Sequence, residues 1–178
     1  MNTADASIAK LDVALRRRFD FIEMPPKPTR LEDINVAGVN LELMLTAINS
    51  RIELLYDRKH TIGHSFFMGL HSESPIGDLA GVFKKNIIPL LQEYFFDDWE
   101  RIHWVLDAYK SNSEPDENLC FVRKKKNAIG VMGERWNSDT NQSALADVWE
   151  LNLKIFQKPE AYIGIYDKGT NESKTDQS

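Results

Sequence analysis

Apolar residues recur every three or four positions from Leu41 through Met44, Leu45, Ile48 and Ile52 to Leu55, and this spacing predicts one buried stripe on a helix running to about Tyr56. A second helical region is predicted from Ile76, with Leu79, Phe83 and Ile87 inward. Pro89 lacks a backbone donor, so it should kink that region or open a new helix through Phe95. Asp97 and Asp98 then read as caps for a helix whose Trp99, Ile102, Leu106 and Tyr109 line one side.

The pattern differs at both ends. Residues 1 to 24 read as strand, helix, strand: Asp5 or Ser7 can cap, Ile8, Leu11 and Leu15 keep helical spacing, and Phe19, Phe21 and Ile22 form a short β-prone run. Two short strands and one helix leave edges and faces uncovered, so this layer needs something else to complete it. Pro25, Pro26 and Pro28 read as a stiff connector to a new unit. After a polar, turn-rich stretch from Lys110 to Glu117, short runs at 119–122, 128–132 and 148–151 suggest a small sheet, covered by a helix around Pro159 to Tyr166. The residues after Asp167 have a disordered composition. The predicted fold is therefore mainly α, divided at 1–24, 25–109, 110–167 and a tail at 168–178, with a small α+β appendage as its third part.

A formal charge of −5 removes a generally basic nucleic-acid-binding surface, and direct DNA reading is not expected. The single cysteine, Cys120, excludes an internal disulfide and has no recognisable nucleophile setting. No long apolar run or leader pattern is present, so no membrane association is expected and the cytoplasm is the default.

Four short motifs change the picture. The run MNTAD followed by ALRRRF, then IGHSFF, then IPLLQEYFFDDWE, resembles the McrB-type AAA+ NTPases, the GTP-driven motor subunits of 5-methylcytosine-specific restriction systems. The resemblance covers roughly residues 1 to 109, and the closing PEAYIGIY adds a weaker echo. It implies that residues 1–24 are the last strand-helix-strand piece of an αβα core and residues 25–109 a helical lid. The 178 residues contain no GxxxxGK[ST] phosphate loop. The resemblance places that loop and the metal-binding acids upstream of Met1, so the chain is expected to be a C-terminal portion, inactive by itself. GTP or ATP with Mg²⁺ would serve the complete protein. Its partners would be the upstream AAA+ half or neighbouring subunits of a ring, and a nuclease subunit.

The same resemblance assigns roles to residues. Asn2 matches the sensor 1 position, where a rigidly placed amide can donate to a γ-phosphate or orient water; alone, it would be read as a cap or turn residue. Arg16, Arg17 and Arg18 end a helix, where cations ordinarily complement the dipole in solvent. The family's arginine finger projects from such a helix, which makes Arg17 and Arg18 its candidates, with Asp12 able to orient one by pairing. Ala6 stands where the family commonly has an arginine, so any contact made from that position is lost. Gly63 and His64 would form a lid turn facing the nucleotide; the plainer reading is a packed or surface histidine.

Other residues invite chemistry less well. His60 and His64 have a metal-like spacing, but Thr61 stands where a HExxH protease has its glutamate, and Gly63 weakens the helix such a site needs, so no metal is expected. Asp97 and Asp98 with Glu93 could imitate an acid pair but fit capping better. Trp99, Trp104 and Tyr109 read as core and bundle seam rather than a stacking platform, and Lys124 to Lys126 as a solvated hairpin turn. Two further functions compete with the motor portion: a non-enzymatic helical module that binds an AAA+ partner, and a hydrolase built on His60 and His64.

Overall fold

The computed structural model describes residues 24–107, 118–125 and 148–167. The expectations for the N-terminal layer, the Lys110 to Glu117 linker, the 128–132 strand, Tyr109, Lys126 and the tail lie outside those residues.

The proline connector leads into a 3₁₀ turn, Pro28–Leu31, whose Leu31 is fully buried. A minimal hairpin follows, β1 (Asn35–Val36) against β2 (Val39–Asn40), with Val36 opposite Val39. Its two turn residues, Ala37 and Gly38, both have positive φ, the conformation that matches the twist of paired strands and that glycine adopts without strain.

Helix α1 (Leu41–Leu55) begins on Asn40, whose side chain accepts from the Leu43 N–H at 2.9 Å. The predicted stripe is the buried one: Leu41, Met44, Leu45, Ile48 and Ile52 are fully enclosed. Burial of each such side chain contributes about 1.5–3 kcal/mol before entropy is counted. Asn49 joins them on the buried face, which a purely apolar reading of the stripe does not anticipate.

The second helical region is continuous but not uniform. Helix α2 (Ile76–Val82) passes into a π-helical turn at Phe83–Ile87 and then into α3 (Ile88–Phe95), with Pro89 in its first turn. The Ile88 N–H bonds to the Phe83 carbonyl, five residues back. Proline has no N–H and its ring crowds the carbonyl four residues earlier; the wider turn just before it absorbs that conflict without breaking the rod.

Helix α4 (Trp99–Leu106) is capped by Asp98, whose carboxylate accepts from the Arg101 N–H at 3.2 Å. Asp97 does not share that task. It has positive φ, as does Phe96, and its carboxylate accepts from Gln92 Nε2 at 3.0 Å. Trp104 also departs from expectation: Ile102, His103, Val105 and Leu106 take the buried side, and Trp104 stands 41% exposed.

Strand β3 (Val122–Lys125) pairs antiparallel with β4 (Val148–Leu151), Val122 facing Leu151. The strand expected at 119–122 starts at its last residue, because the Phe121 and Val122 N–H groups bind the Asp107 carboxylate. Lys124 and Lys125 consequently lie in a strand rather than a turn, with Lys124 Nζ over the Trp149 ring at 5.3 Å. After a 3₁₀ turn at Leu153–Gln157, helix α5 (Pro159–Tyr166) occupies the predicted residues.

These later elements share the core of the helices before them. Phe83, in the π turn, stacks on Phe121 at 5.6 Å and meets Tyr162 edge-on at 4.9 Å; Phe121 in turn touches Phe156 at 5.2 Å. The described part of the expected appendage is thus packed into the bundle. The described residues are mainly helical, with two two-stranded sheets among them. Among the described residues no helix is long and apolar enough to cross a membrane.

Candidate functional site

The turn between α1 and α2, residues 57–64, is held from three directions by polar contacts. At its start, Asp57 Oδ1 accepts from the backbone N–H groups of Lys59 at 2.6 Å and His60 at 3.1 Å, and lies 2.7 Å from His60 Nδ1. Desolvation, the largest single influence, pushes the Asp57 carboxyl up, but the hydrogen bond and charge of His60 and the two N–H donors together outweigh it and hold the group below its usual range. The His60 ring is also edge-on to Tyr56 at 4.2 Å and to Tyr94 at 4.9 Å.

In the middle of the turn, buried Asn49 reads the Ile62 backbone at two points. Its Oδ1 accepts from the Ile62 N–H at 2.7 Å and its Nδ2 donates to the Ile62 carbonyl at 3.0 Å. At the far end, His64 Nδ1 accepts from the Lys27 N–H at 3.2 Å, which ties the proline connector to the turn. An imidazole that accepts at Nδ1 carries its proton on Nε2, so the neutral ring presents a donor on its other side.

Gly63 and His64, the predicted nucleotide-side residues, therefore sit together at the start of a 3₁₀ turn, His64–Phe67, both half-buried. Gly63 has ordinary φ, but a Cβ there would stand 3.2 Å from Ser65 Oγ. The Asp57 carboxylate is occupied by N–H donors, and the Nδ1 atoms of His60 and His64 are engaged by separate partners. Asn2, Asp12, Arg17 and Arg18 lie outside the described residues.

A second polar cluster lies under α4. His103 Nδ1 is 2.9 Å from Asp107 Oδ2 and 2.8 Å from the Val122 carbonyl; both neighbours accept, so Nδ1 carries the proton. Asp107 also accepts from the Phe121 N–H at 2.7 Å and the Val122 N–H at 3.1 Å. Burial disfavours an imidazolium here, yet the hydrogen bond and charge of Asp107 outweigh it and raise the His103 pKa. Burial likewise raises the Asp107 carboxyl against the pull of its three donors. Cys120 brings a third potential metal ligand near the pair, all three buried with ligand atoms within 4.8 Å of one another. The Asp107 oxygens are already spent on backbone N–H groups, so the cluster works as a clamp between α4 and β3.

Arg51 completes that clamp. Its two terminal nitrogens donate to the Val105 carbonyl at 2.8 Å and the Ile165 carbonyl at 2.6 Å, the ends of α4 and α5. A guanidinium at two helix C-termini matches both dipoles and uses carbonyls that have no partner within their helices. Burial lowers its pKa and the Asp107 charge opposes this. Sequence reading missed Asn49, Asp57, Arg51, His103 and Asp107. The available signals were a polar residue inside the α1 stripe and a histidine four residues before an aspartate on α4.

The comparisons with known proteins bear on this arrangement. Residues 40–103 match the family model described as McrB, alpha-helical lid domain. The match opens at Asn40, the cap of α1, and closes within α4, so it contains the whole 57–64 turn. A curated relative, the type IV methyl-directed restriction enzyme EcoKMcrB subunit of Escherichia coli (strain K12), is 35% identical over 119 residues, 55% of this chain and 25% of the relative. The chain thus spans about a quarter of the length of that curated relative. Over a partial region that contains the helical lid, the resemblance to McrB-type AAA+ proteins is shown.

Proposed function

We propose that this chain supplies the lid and the trans-acting residues of a McrB-like, nucleotide-driven restriction motor. The observation that carries the reading is the coincidence of the lid match with the pinned turn: among the described residues, the segment the resemblance assigns to the nucleotide is fixed by Asn49, Asp57 and the Lys27–His64 bond. Such preplacement is what a donor needs if it is to stabilise charge without reorganising.

In this reading the His64 Nε2–H and the Gly63 backbone face bound nucleotide. Asn2 acts as sensor 1, Arg17 and Arg18 as the arginine finger beside a neighbouring subunit's triphosphate, and Asp12 positions one of them. GTP or ATP with Mg²⁺ is held by a phosphate-loop segment on another part of the machine, and the described residues fit a contributor to that site rather than its cradle. The nuclease subunit and the ring neighbours are the proposed partners, and the cytoplasm the proposed location.

The test is nucleotide turnover by the chain assembled with a phosphate-loop-bearing McrB-type portion. Arg18→Ala should lower turnover by about 10³-fold or more with assembly retained, as loss of an arginine finger does. His64→Ala should lower nucleotide affinity more modestly. Unchanged turnover in Arg17→Ala, Arg18→Ala and their double variant would refute the assigned roles.

A further inference from the structure

Pro25, Pro26 and Pro28 have no N–H, so Lys27 holds the one backbone donor that residues 25–28 possess. That donor meets His64 Nδ1 at 3.2 Å. The Lys27 peptide has little freedom to turn away. A following proline disfavours helical backbone for the residue before it, and Lys27 has φ −121° and ψ 85°. Its carbonyl also accepts from the Arg30 N–H at 3.0 Å. Lys27 is itself exposed, so its ammonium plays no part in the contact that its backbone makes.

Further contacts seat the connector beside the turn. The Asn35 N–H donates to Ser72 Oγ at 3.2 Å, and that hydroxyl donates to the Asp33 carbonyl at 3.2 Å. The 3₁₀ turns Pro28–Leu31 and His64–Phe67 pack on each other, with Leu31 and Phe67 fully buried. The Lys27 N–H therefore approaches the imidazole from a fixed direction. Which ring nitrogen carries the proton of a neutral histidine is set by the hydrogen bond made at the other. One such bond shifts the tautomer ratio by about 2- to 12-fold, here toward Nε2–H.

We infer that Lys27 is a positioning residue for His64, acting through its backbone: its N–H fixes the tautomer and direction of the ring, and so offers the Nε2–H on the opposite side to nucleotide. The last step rests on the reading that His64 faces nucleotide. Position 27 is then the gap in a proline run where a donor is required, and the side chain there is immaterial. Connector and nucleotide use opposite sides of one imidazole, so each contact strengthens the other by the same factor. Through it, the segment that leads from residues 1–24 into the lid bears directly on the lid's own nucleotide contact.

The α-hydroxy analogue of lysine at position 27 tests this, since it replaces that one N–H by an ester oxygen and keeps the side chain. Nitrogen NMR of the His64 ring in the whole chain, without nucleotide and at a pH where the ring is neutral, should show the proton on Nε2. The ester should lower the ratio of Nε2–H to Nδ1–H tautomer by about 2- to 12-fold, and Lys27→Ala, which keeps the N–H, should leave it unchanged. A wild-type ring protonated on Nδ1, or a ratio that the ester does not move, would overturn the proposal whatever the motor does. With a phosphate-loop-bearing McrB-type portion added, the ester should weaken binding of a non-hydrolysable GTP or ATP analogue by about the same factor as it shifts the tautomer ratio. In a His64→Ala background it should cost nothing further. An ester effect on binding that persists there, or none in the presence of His64, would also overturn it. Unchanged binding in His64→Ala itself would count against the motor reading, and the tautomer ratio alone would then decide whether Lys27 positions the ring.

Discussion

Two polar networks in this small protein are built on opposite principles. Asn49 grips the Ile62 backbone with a neutral amide that donates once and accepts once, and so fixes a turn near the surface. His103 and Asp107 grip β3 with ionisable groups inside the core, and Arg51 ties the ends of α4 and α5 beside them. The neutral clamp sits within the matched lid. The charged one closes a seam between that lid and residues beyond the match. The difference teaches that the grip on Ile62 in the middle of the turn is insensitive to pH, while the clamp on the C-terminal segment is made by groups that gain or lose a proton.

The largest effect should come from Asp107→Ala. It strands His103 and the buried N–H groups of Phe121 and Val122, and should cost about 3–5 kcal/mol in denaturant unfolding. A loss below about 1 kcal/mol would mean that the seam is held by the Phe83–Phe121–Tyr162 cluster without the clamp. Asn49→Ala should cost less, about 2–3 kcal/mol, because two backbone groups of one residue lose their partners. Its sharper signature is local: amide exchange should accelerate at residues 60–64 and stay unchanged at 121–122.

The pH dependence should separate the two networks with a smaller effect. The folded pKa of His103 is raised, so its stabilisation is fully present below the unfolded value of about 6.5 and is lost as pH rises through the folded value. The raised Asp107 carboxyl acts with the same sign at lower pH, since the folded state again binds more protons. Melting temperature should therefore fall as pH rises from about 6 into the alkaline range. His103→Gln should flatten that slope, and Asn49→Ala should leave it intact. An unchanged slope in His103→Gln would show that other groups carry it.

Sequence pattern made the long-range apolar order legible and left most of the polar order hidden. The α1 stripe and the 159–166 helix follow from periodicity and end signals, and Pro89 announced an irregularity whose form, a π turn, depends on how neighbouring carbonyls relax. Trp104 was misplaced because aromatic character alone does not tell which side of α4 is covered; His103 takes the buried side since Asp107 and the Val122 carbonyl satisfy it. The Gly63–His64 turn was found through resemblance. What holds it, Asn49 and Asp57, was not, because a single amide or carboxylate acquires its meaning only from the backbone groups it meets.

The central claim is that these residues complete a nucleotide site whose phosphate cradle lies elsewhere, and a three-way turnover measurement tests it most directly. With Mg²⁺ and GTP or ATP, the chain alone and a phosphate-loop-bearing McrB-type portion alone should each be nearly idle, and the two together should hydrolyse nucleotide. Hydrolysis by the isolated chain, or a partner rate that its addition leaves unchanged, would contradict the account.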